Sequence, residues 1–123
     1  MEKGRWQGVM PALMTEMHLD GTIDLDSTAV HADKCIAAGV QGIIAIGTLG
    51  ENCSLTPGEK ESVLRAVVEV ADGRVPVICG IAEYTSNFAL ERARMAEKAG
   101  ADGLMALPGM VYKQDSREAI RQL

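Results

Sequence analysis

Short, wholly apolar runs alternate with helical patterns along this chain of 123 residues, and that alternation restricts its fold more than any other feature. The runs are GVMPALM at 8–14, GIIAIG at 42–47, VPVICG at 75–80 and GLMALP at 103–108. Each has the length of a strand but lacks the apolar–polar alternation of a strand with one face in water. The four runs are therefore predicted to be strands buried on both faces.

Helical patterns fill the intervals between these runs. They cover 24–38, 56–71 and about 86–99, and a fourth begins at Asp115 or Ser116. The second is the most sharply defined, because Thr56 and Glu59 form a capping box with Pro57 at the first helical position. Strands and helices thus alternate, which predicts parallel strands joined by right-handed helical crossovers.

An internal repeat favours a barrel as the form of this parallel sheet. The segment AGVQGIIAI at 38–46 recurs as AGADGLMAL at 99–107. Two strand–helix units separate the copies, as expected where alternate strands of a barrel fill equivalent layers. An open flavodoxin-like sheet is the alternative. Because the sequence contains no GxGxxG after a strand and no GxxxxGK[ST], a Rossmann site is not supported and a P-loop is excluded.

The segment GTLGE at 47–51 is predicted to lie at the carboxyl end of the second strand, the end at which barrels carry their chemistry. Gly47 and Gly50 are expected to let the backbone turn sharply and approach a ligand. The amides of Thr48 and Leu49 can then point at one small anion, and the Thr48 hydroxyl suits a proton relay because it both donates and accepts. The carboxylate of a small keto acid would fit this turn. A tight turn without a ligand is the alternative interpretation.

Composition and charge exclude several classes of function. The net charge is −5 and no basic patch interleaves with aromatic residues, so nucleic acid and anionic membranes are not expected partners. No apolar run approaches the roughly 20 residues needed to span a bilayer. The cysteines, Cys35, Cys53 and Cys79, are odd in number and form no CxxC pair. We therefore expect a reduced, cytoplasmic setting, no zinc site, and thiols that serve as small packing residues.

The GTLGE segment, together with PALMTEM at 11–17, RVPVICG at 74–80 and residues 108–112, resembles the motifs of the dihydrodipicolinate synthase/N-acetylneuraminate lyase family. The motifs follow in the family's order from about Gly8 onward. The resemblance implies a homo-oligomeric lyase with a (β/α)8 TIM barrel. Such an enzyme binds pyruvate or a related 2-keto acid as a Schiff base on a lysine, then condenses it with an aldehyde or releases one. No metal or organic cofactor is implied.

The family's form of the motif is GTTGE, so the resemblance assigns Gly47 and Thr48 to the pyruvate carboxylate. It also implies that Thr48 relays protons between two tyrosines. Leu49 stands where the family has a second threonine. This departure removes a hydroxyl ligand and leaves the backbone amide, a loss of about 1 kcal/mol for one neutral hydrogen bond.

The resemblance also implies a relay tyrosine that reaches across a dimer interface. Counted back from Glu118, which resembles the first glutamate of the next family helix, this tyrosine is Tyr112, in a loop two residues longer than usual. A tyrosine tucked under the loop with a solvated hydroxyl is the alternative. Tyr84, which follows the third predicted strand, is a weaker candidate for lining the pocket.

An eight-stranded barrel typically needs about 250 residues, and this chain has four predicted strands in half that length. We therefore expect residues 1–123 to be the amino-terminal half of a single, incomplete barrel domain. By the family's spacing, the Schiff-base lysine lies beyond Leu123. The lysines of the chain are Lys3, Lys34, Lys60, Lys98 and Lys113. Only Lys113 is predicted near the carboxyl end of a strand, and nothing around it is expected to activate it.

Two classes of function stay open. The first is the amino-terminal half of a pyruvate-dependent lyase or aldolase, with a sugar-acid aldolase or dehydratase as variants within the family. The second is a non-catalytic half-barrel that binds or assembles with another half, since the edge strands of an open sheet are liable to pair. The chain ends at IRQL, early in a predicted helix, which favours a shortened enzyme.

Overall fold

A computed structural model of the chain describes residues 5–108 and 115–122, and helices and strands alternate through both ranges. They are α1 (Leu25–Ala37), β1 (Ile43–Ala45), α2 (Pro57–Ala71), β2 (Val77–Ile81), α3 (Ser86–Ala99), β3 (Gly103–Ala106) and α4 (Ser116–Gln122), with a short 3-10 turn at Asn52–Ser54. The predicted helices and the last three predicted strands are confirmed in kind and order. Their ends differ from the predicted ones by a few residues.

The strands form one parallel sheet in the order β1-β2-β3. The first predicted strand lies parallel beside β1, but it contributes only a single bridge, between Ala12 and Ile44. The Leu13 amide donates to the Ile44 carbonyl over 2.8 Å, and the Ile44 amide donates to the Pro11 carbonyl over 2.9 Å. Because Pro11 has no amide hydrogen, this segment cannot extend into a regular ladder at that point.

The order of the elements excludes the open flavodoxin-like sheet. In that fold the strand order reverses at a switch point and helices cover both faces. Here each strand neighbours the next one in sequence, and α1 packs against α2 while α2 packs against α3. The crossovers therefore proceed in one direction around the sheet, which is the arrangement of consecutive units in a (β/α)8 barrel. The chain contains about the first four of those units.

The helices begin and end at the residues that local chemistry favours. Thr56 caps α2 by accepting from the Glu59 amide over 3.2 Å, and the Glu59 carboxylate accepts from the Thr56 amide over 2.8 Å. The predicted capping box is therefore confirmed. Asp24 caps α1 in the same way, accepting from the Ser27 amide over 2.9 Å. These caps satisfy backbone donors that the first helical turn leaves unpaired.

The core lies between the sheet and the inner faces of the helices. Ile43 of β1, Val77 of β2 and Leu64 of α2 are all at least 98% buried. The prediction of strands buried on both faces is confirmed for β2, whose five residues are all buried. It is wrong for β3, where Leu104 is 49% exposed, and for the first run, where Val9 and Met14 are exposed. No other strand in the described ranges pairs with the outer edge of β3, so its apolar residues lack cover there.

Candidate functional site

The GTLGE segment directly follows β1, at the carboxyl end of the sheet, where the sequence predicted it. Gly47 and Gly50 are buried, whereas Thr48 and Leu49 are exposed. Within the described part of the chain, the backbone amides of Thr48 and Leu49 donate to no backbone or side-chain acceptor. The tip of this turn therefore offers two amide hydrogens and one threonine hydroxyl to a ligand, and these groups suit a small anion.

The left-handed backbone positions of the turn are Ile46 and Glu51, with φ of 47° and 60°. Gly47 and Gly50 are not among the residues with positive φ, so the left-handed freedom of glycine is not used at either position. A β-branched residue such as Ile46 adopts this conformation at a cost of roughly 1–3 kcal/mol, so its surroundings must hold it there.

Gly50 is required for close packing of the backbone. A Cβ atom at Gly50 would lie 3.0 Å from the Cα of Ile46 and 3.1 Å from the carbonyl oxygen of Leu13. At Gly47 the corresponding atom would meet its nearest neighbour, Cγ2 of Ile44, at an ordinary 3.6 Å. The protein's own contacts therefore leave little room for a side chain at Gly50 and ordinary room for a methyl group at Gly47.

Two buried polar side chains brace the turn. The Thr15 hydroxyl donates to the Gly50 carbonyl over 2.7 Å. The Asn52 side-chain amide donates to the Ile46 carbonyl over 2.6 Å and to the Gly80 carbonyl, on β2, over 3.1 Å. Sequence reasoning missed both residues. The signal for both in the sequence is their position, since Thr15 directly follows the apolar run at 8–14 and Asn52 directly follows GTLGE.

The predicted relay tyrosine, Tyr112, and Lys113 lie outside the described residues, so their assignments stay predictions. Tyr84 is described, and it follows β2 at the same end of the sheet with 71% of its surface exposed. It lines a pocket of about 260 Å³ between α2 and α3. Its other lining residues come from the segment after GTLGE, the first turn of α2, the loop after β2 and α3, and include Cys53, Leu55, Lys60, Glu83 and Arg92. Thr48 and Leu49 are not among the lining residues of this pocket, so the assignment of Tyr84 to the ligand pocket stays a prediction.

An ion-paired lysine lies in that pocket. Lys60, in the first turn of α2, is 5% exposed, and its ammonium lies 2.9 Å from a carboxylate oxygen of Glu83. Arg92 approaches the same oxygen at 4.0 Å. The expectation that only Lys113 lies near the carboxyl end of a strand is therefore wrong. A signal was present, because the first turn of a helix that follows a parallel strand lies close to that strand's carboxyl end.

Lys60 is nevertheless a poor candidate for imine formation, because an ammonium engaged in an ion pair has no lone pair with which to attack a carbonyl. Nearby Cys79 is fully buried in β2. Burial raises the pKa of the Cys79 thiol to about 11, and the positive charge of Lys60 acts weakly in the opposite direction. The thiol is therefore neutral at ordinary pH and serves as a packing residue.

The described ranges contain no group of three or more His, Cys, Asp or Glu side chains arranged to hold a metal ion. Within the same ranges, none of the helices combines the length and the apolar character that crossing a membrane requires.

Comparison with protein families gives one match over nearly the whole chain. Residues 5–122 match the model of the dihydrodipicolinate synthetase family. Among curated proteins, a 4-hydroxy-tetrahydrodipicolinate synthase of Methanococcus maripaludis is 40% identical over 116 residues, which is 94% of this chain and 39% of that protein. The chain thus spans about 39% of the length of this relative.

Solved structures of similar fold carry related descriptions. YagE of E. coli, described as a prophage protein of the dihydrodipicolinic acid synthase family in complex with pyruvate, superposes with a TM-score of 0.89 at 31% identity, covering 95% of this chain and 39% of YagE. A chloride-inhibited dihydrodipicolinate synthase from Acinetobacter baumannii, complexed with pyruvate, has a TM-score of 0.91 at 28% identity and covers 94% of this chain and 40% of that one.

Proposed function

Since the chain belongs to the dihydrodipicolinate synthetase family, we propose that its GTLGE turn binds the carboxylate of pyruvate, or of a related 2-keto acid, in a pyruvate-dependent lyase. The observation that carries this proposal is the pair of unpartnered amides at Thr48 and Leu49, beside an exposed threonine hydroxyl. Two amide donors from consecutive residues match the two oxygens of one carboxylate. Two proteins of similar structure were solved with pyruvate bound, which supports the choice of ligand.

The proposed chemistry needs an amine that the turn itself lacks. A lysine amine attacks C2 of pyruvate, the carbonyl oxygen leaves as water, and an imine forms. Loss of a C3 proton converts the imine into an enamine, whose C3 attacks the carbonyl carbon of an aldehyde. Water then hydrolyses the imine and restores the amine. We propose that this lysine lies outside residues 1–123, because the spacing implied by the resemblance places it beyond Leu123 and because Lys60 is ion-paired to Glu83.

In this scheme the turn has two tasks. Its amides and the Thr48 hydroxyl hold the carboxylate, so that C2 stays within reach of the amine. The same hydroxyl passes protons to and from Tyr112, which moves the proton that the new alkoxide requires. Leu49 keeps its amide but brings no second hydroxyl. A synthase, a sugar-acid aldolase and a dehydratase of this kind all need the carboxylate contact, so the turn leaves the second substrate open.

A half-barrel that binds or assembles with further strands is the second candidate. The exposure of Leu104 and Met105 on β3, 49% and 37%, favours it, because an apolar edge strand is normally covered. The candidates differ in what they require of the turn. A pure assembly module needs no ligand at Thr48 and Leu49, whereas the lyase proposal requires one.

The test is a pyruvate titration followed by amide NMR of the chain, with methyl pyruvate as the matched ligand that lacks a carboxylate. The proposal expects saturable shifts of the Thr48 and Leu49 amides with pyruvate and none with the ester. Absence of shifts with pyruvate would favour the assembly module.

A second measurement tests where the lysine lies. After incubation with pyruvate and borohydride, the 13.1 kDa chain should keep its unmodified mass. A reduced pyruvate adduct on this chain would contradict an external lysine, and peptide mapping would then begin at Lys113.

A further inference from the structure

We propose that Asn52 is the positioning residue of the GTLGE turn: it ties the end of β1 to β2 and so orients the amides that receive the carboxylate. The inference rests on the proposed function for its consequence in binding, but its geometric part stands on the contacts alone. Asn52 directly follows the motif and is 1% exposed. It does not contact the ligand groups of Thr48 and Leu49 in any described hydrogen bond.

The orientation of the Asn52 side chain is determined by its partners. Its Nδ2 lies 2.6 Å from the Ile46 oxygen and 3.1 Å from the Gly80 oxygen. Both partners are carbonyl oxygens, which only accept, so the NH₂ group and not the amide oxygen must face them. The amide oxygen is buried and has no partner within the described residues. The two donated bonds are therefore the contacts that hold this side chain.

The two bonds from Asn52 connect β1 to β2 just beyond the last residue pair of their backbone ladder. The pairing of β1 with β2 stops at Ala45 opposite Cys79. Ile46, with φ of 47°, leaves the strand direction, yet it is only 1% exposed. Without a donor its carbonyl would be buried and unpaired, which is a costly arrangement. Asn52 supplies that donor and so stabilises the left-handed conformation at Ile46.

Asn52 also reaches the other side of the turn through its backbone. Its amide donates to the Gly47 carbonyl over 3.2 Å. Asn52 thus donates hydrogen bonds to the carbonyls of both residues of the Ile46–Gly47 corner. Thr48 and Leu49 directly follow the corner in the chain. Rotation of this corner would turn the two amides away from a shared anion, since the orientation of each peptide depends on the preceding one.

The absence of a side chain at Gly80 makes the tie possible. A Cβ atom there would lie 2.5 Å from the Ile46 oxygen and 2.7 Å from the Gly47 Cα. Backbone this close brings the Ile46 and Gly80 carbonyls within reach of a single amide group. The bridge from β1 to β2 therefore depends on the carbonyl of Ile46, the side chain of Asn52 and the glycine at position 80, which lies 28 residues from Asn52 in the chain.

The experiment compares Asn52→Ala and Asn52→Asp with the unchanged protein. Asn52→Asp keeps the shape and removes both donors, while Asn52→Ala removes them without introducing a buried charge. Val67→Ala is the matched control, since it weakens the buried core of α2 and touches no atom of the turn in any described hydrogen bond. Melting temperature, the amide shifts of Thr48 and Leu49 without ligand, and the Kd for pyruvate are measured for each.

We expect both Asn52 variants to shift the NMR signals of the Thr48 and Leu49 amides before any ligand is added. We also expect both variants to weaken pyruvate binding about tenfold, which corresponds to the loss of roughly one net hydrogen bond. Val67→Ala should lower the melting temperature and keep the original Kd. The inference is overturned if Asn52→Ala leaves the shifts and the Kd unchanged, or if Val67→Ala weakens binding equally. If the unchanged protein binds no pyruvate, the proposed function fails, and the ligand-free shifts still decide whether Asn52 positions the turn.

Discussion

At the scale of the residue, the groups of the GTLGE turn that are proposed to bind the carboxylate differ from the groups that hold the shape of the turn. The exposed residues Thr48 and Leu49 offer backbone amides, while the buried side chains of Thr15 and Asn52 occupy carbonyls of the same turn. This division lets an exposed side chain be changed with little effect on the fold, because surface substitutions rarely alter stability by more than about 0.5 kcal/mol.

Leu49 is the position at which this division is most easily tested. It is 54% exposed, and it is the residue at which GTLGE departs from the GTTGE form of the motif that the resemblance implies. Leu49→Thr adds a hydroxyl beside the proposed carboxylate site, so we expect the Kd for pyruvate to fall by about fivefold, the equivalent of one net hydrogen bond of about 1 kcal/mol. Calorimetric titration measures the change. Leu49→Ala is the control, since it removes the leucine without adding a donor, and an equal gain in that variant would refute the prediction.

Cys79 predicts a dependence of stability on alkaline pH. Burial raises the pKa of this thiol from 9.0 to about 11, with Lys60 opposing the rise. Between these values the unfolded chain has released the thiol proton and the folded chain has kept it, so the free energy of unfolding falls as pH rises through this window, by about 3 kcal/mol in total. Urea unfolding at several pH values, followed by circular dichroism, measures the slope. Cys79→Ala should show a shallower slope, and an unchanged slope would contradict the assignment.

At the scale of the element, the packing of β1 on β2 depends on one close backbone approach. The two strands pair in parallel only as far as Ala45 and Cys79, and the backbone of β2 then lies against the Ile46–Gly47 corner. A glycine is needed at that contact because no side chain atom fits between the strands. The backbones of the Ile46–Gly47 corner and of β2 therefore lie close together at the point where the turn begins.

Gly80 and Gly58 form a matched pair for testing this contact. A Cβ at Gly80 would lie 2.5 Å from the Ile46 oxygen, whereas a Cβ at Gly58, in the first turn of α2, would meet no atom within 4 Å. We expect Gly80→Ala to destabilise the fold by about 3 kcal/mol and Gly58→Ala to stabilise it by about 0.5 kcal/mol through reduced freedom of the unfolded chain. Thermal and urea unfolding distinguish the two. Equal effects of the two substitutions would show that the close approach is relaxed in solution.

At the scale of the whole molecule, the strands of the sheet differ in how far they are buried. Every residue of β2 is buried, while three of the four residues of β3 are exposed. Helices α1, α2 and α3 pack in sequence around β1 and β2. In the described ranges the sheet is therefore buried at its central strand, β2, and exposes apolar residues at its outer strand, β3. An exposed apolar edge of this kind tends to recruit another strand or chain.

Leu104, on β3, gives a direct test of that tendency. We expect the 123-residue chain by itself to self-associate as its concentration rises, and Leu104→Lys to shift the association to at least about tenfold higher concentration, because a charge on an edge strand opposes pairing. Sedimentation velocity over a range of concentrations measures the shift. Leu19→Lys is the control, since Leu19 is fully exposed in the turn before α1. Self-association that responds equally to both substitutions would exclude a specific role for β3.

The sequence by itself determined the kind and order of the elements, the capping of α2 and the position of GTLGE at the carboxyl end of β1. These follow from apolar periodicity and capping chemistry, which act over a few neighbouring residues. Tertiary structure alone decided the shape of the turn. Thr15 and Gly50 are 35 residues apart and Asn52 and Gly80 are 28 apart, so no local pattern marks their hydrogen bonds. The left-handed conformation at Ile46 is stabilised by Asn52, whose side-chain amide bonds both the Ile46 carbonyl and the distant Gly80 carbonyl, since isoleucine alone disfavours that backbone region.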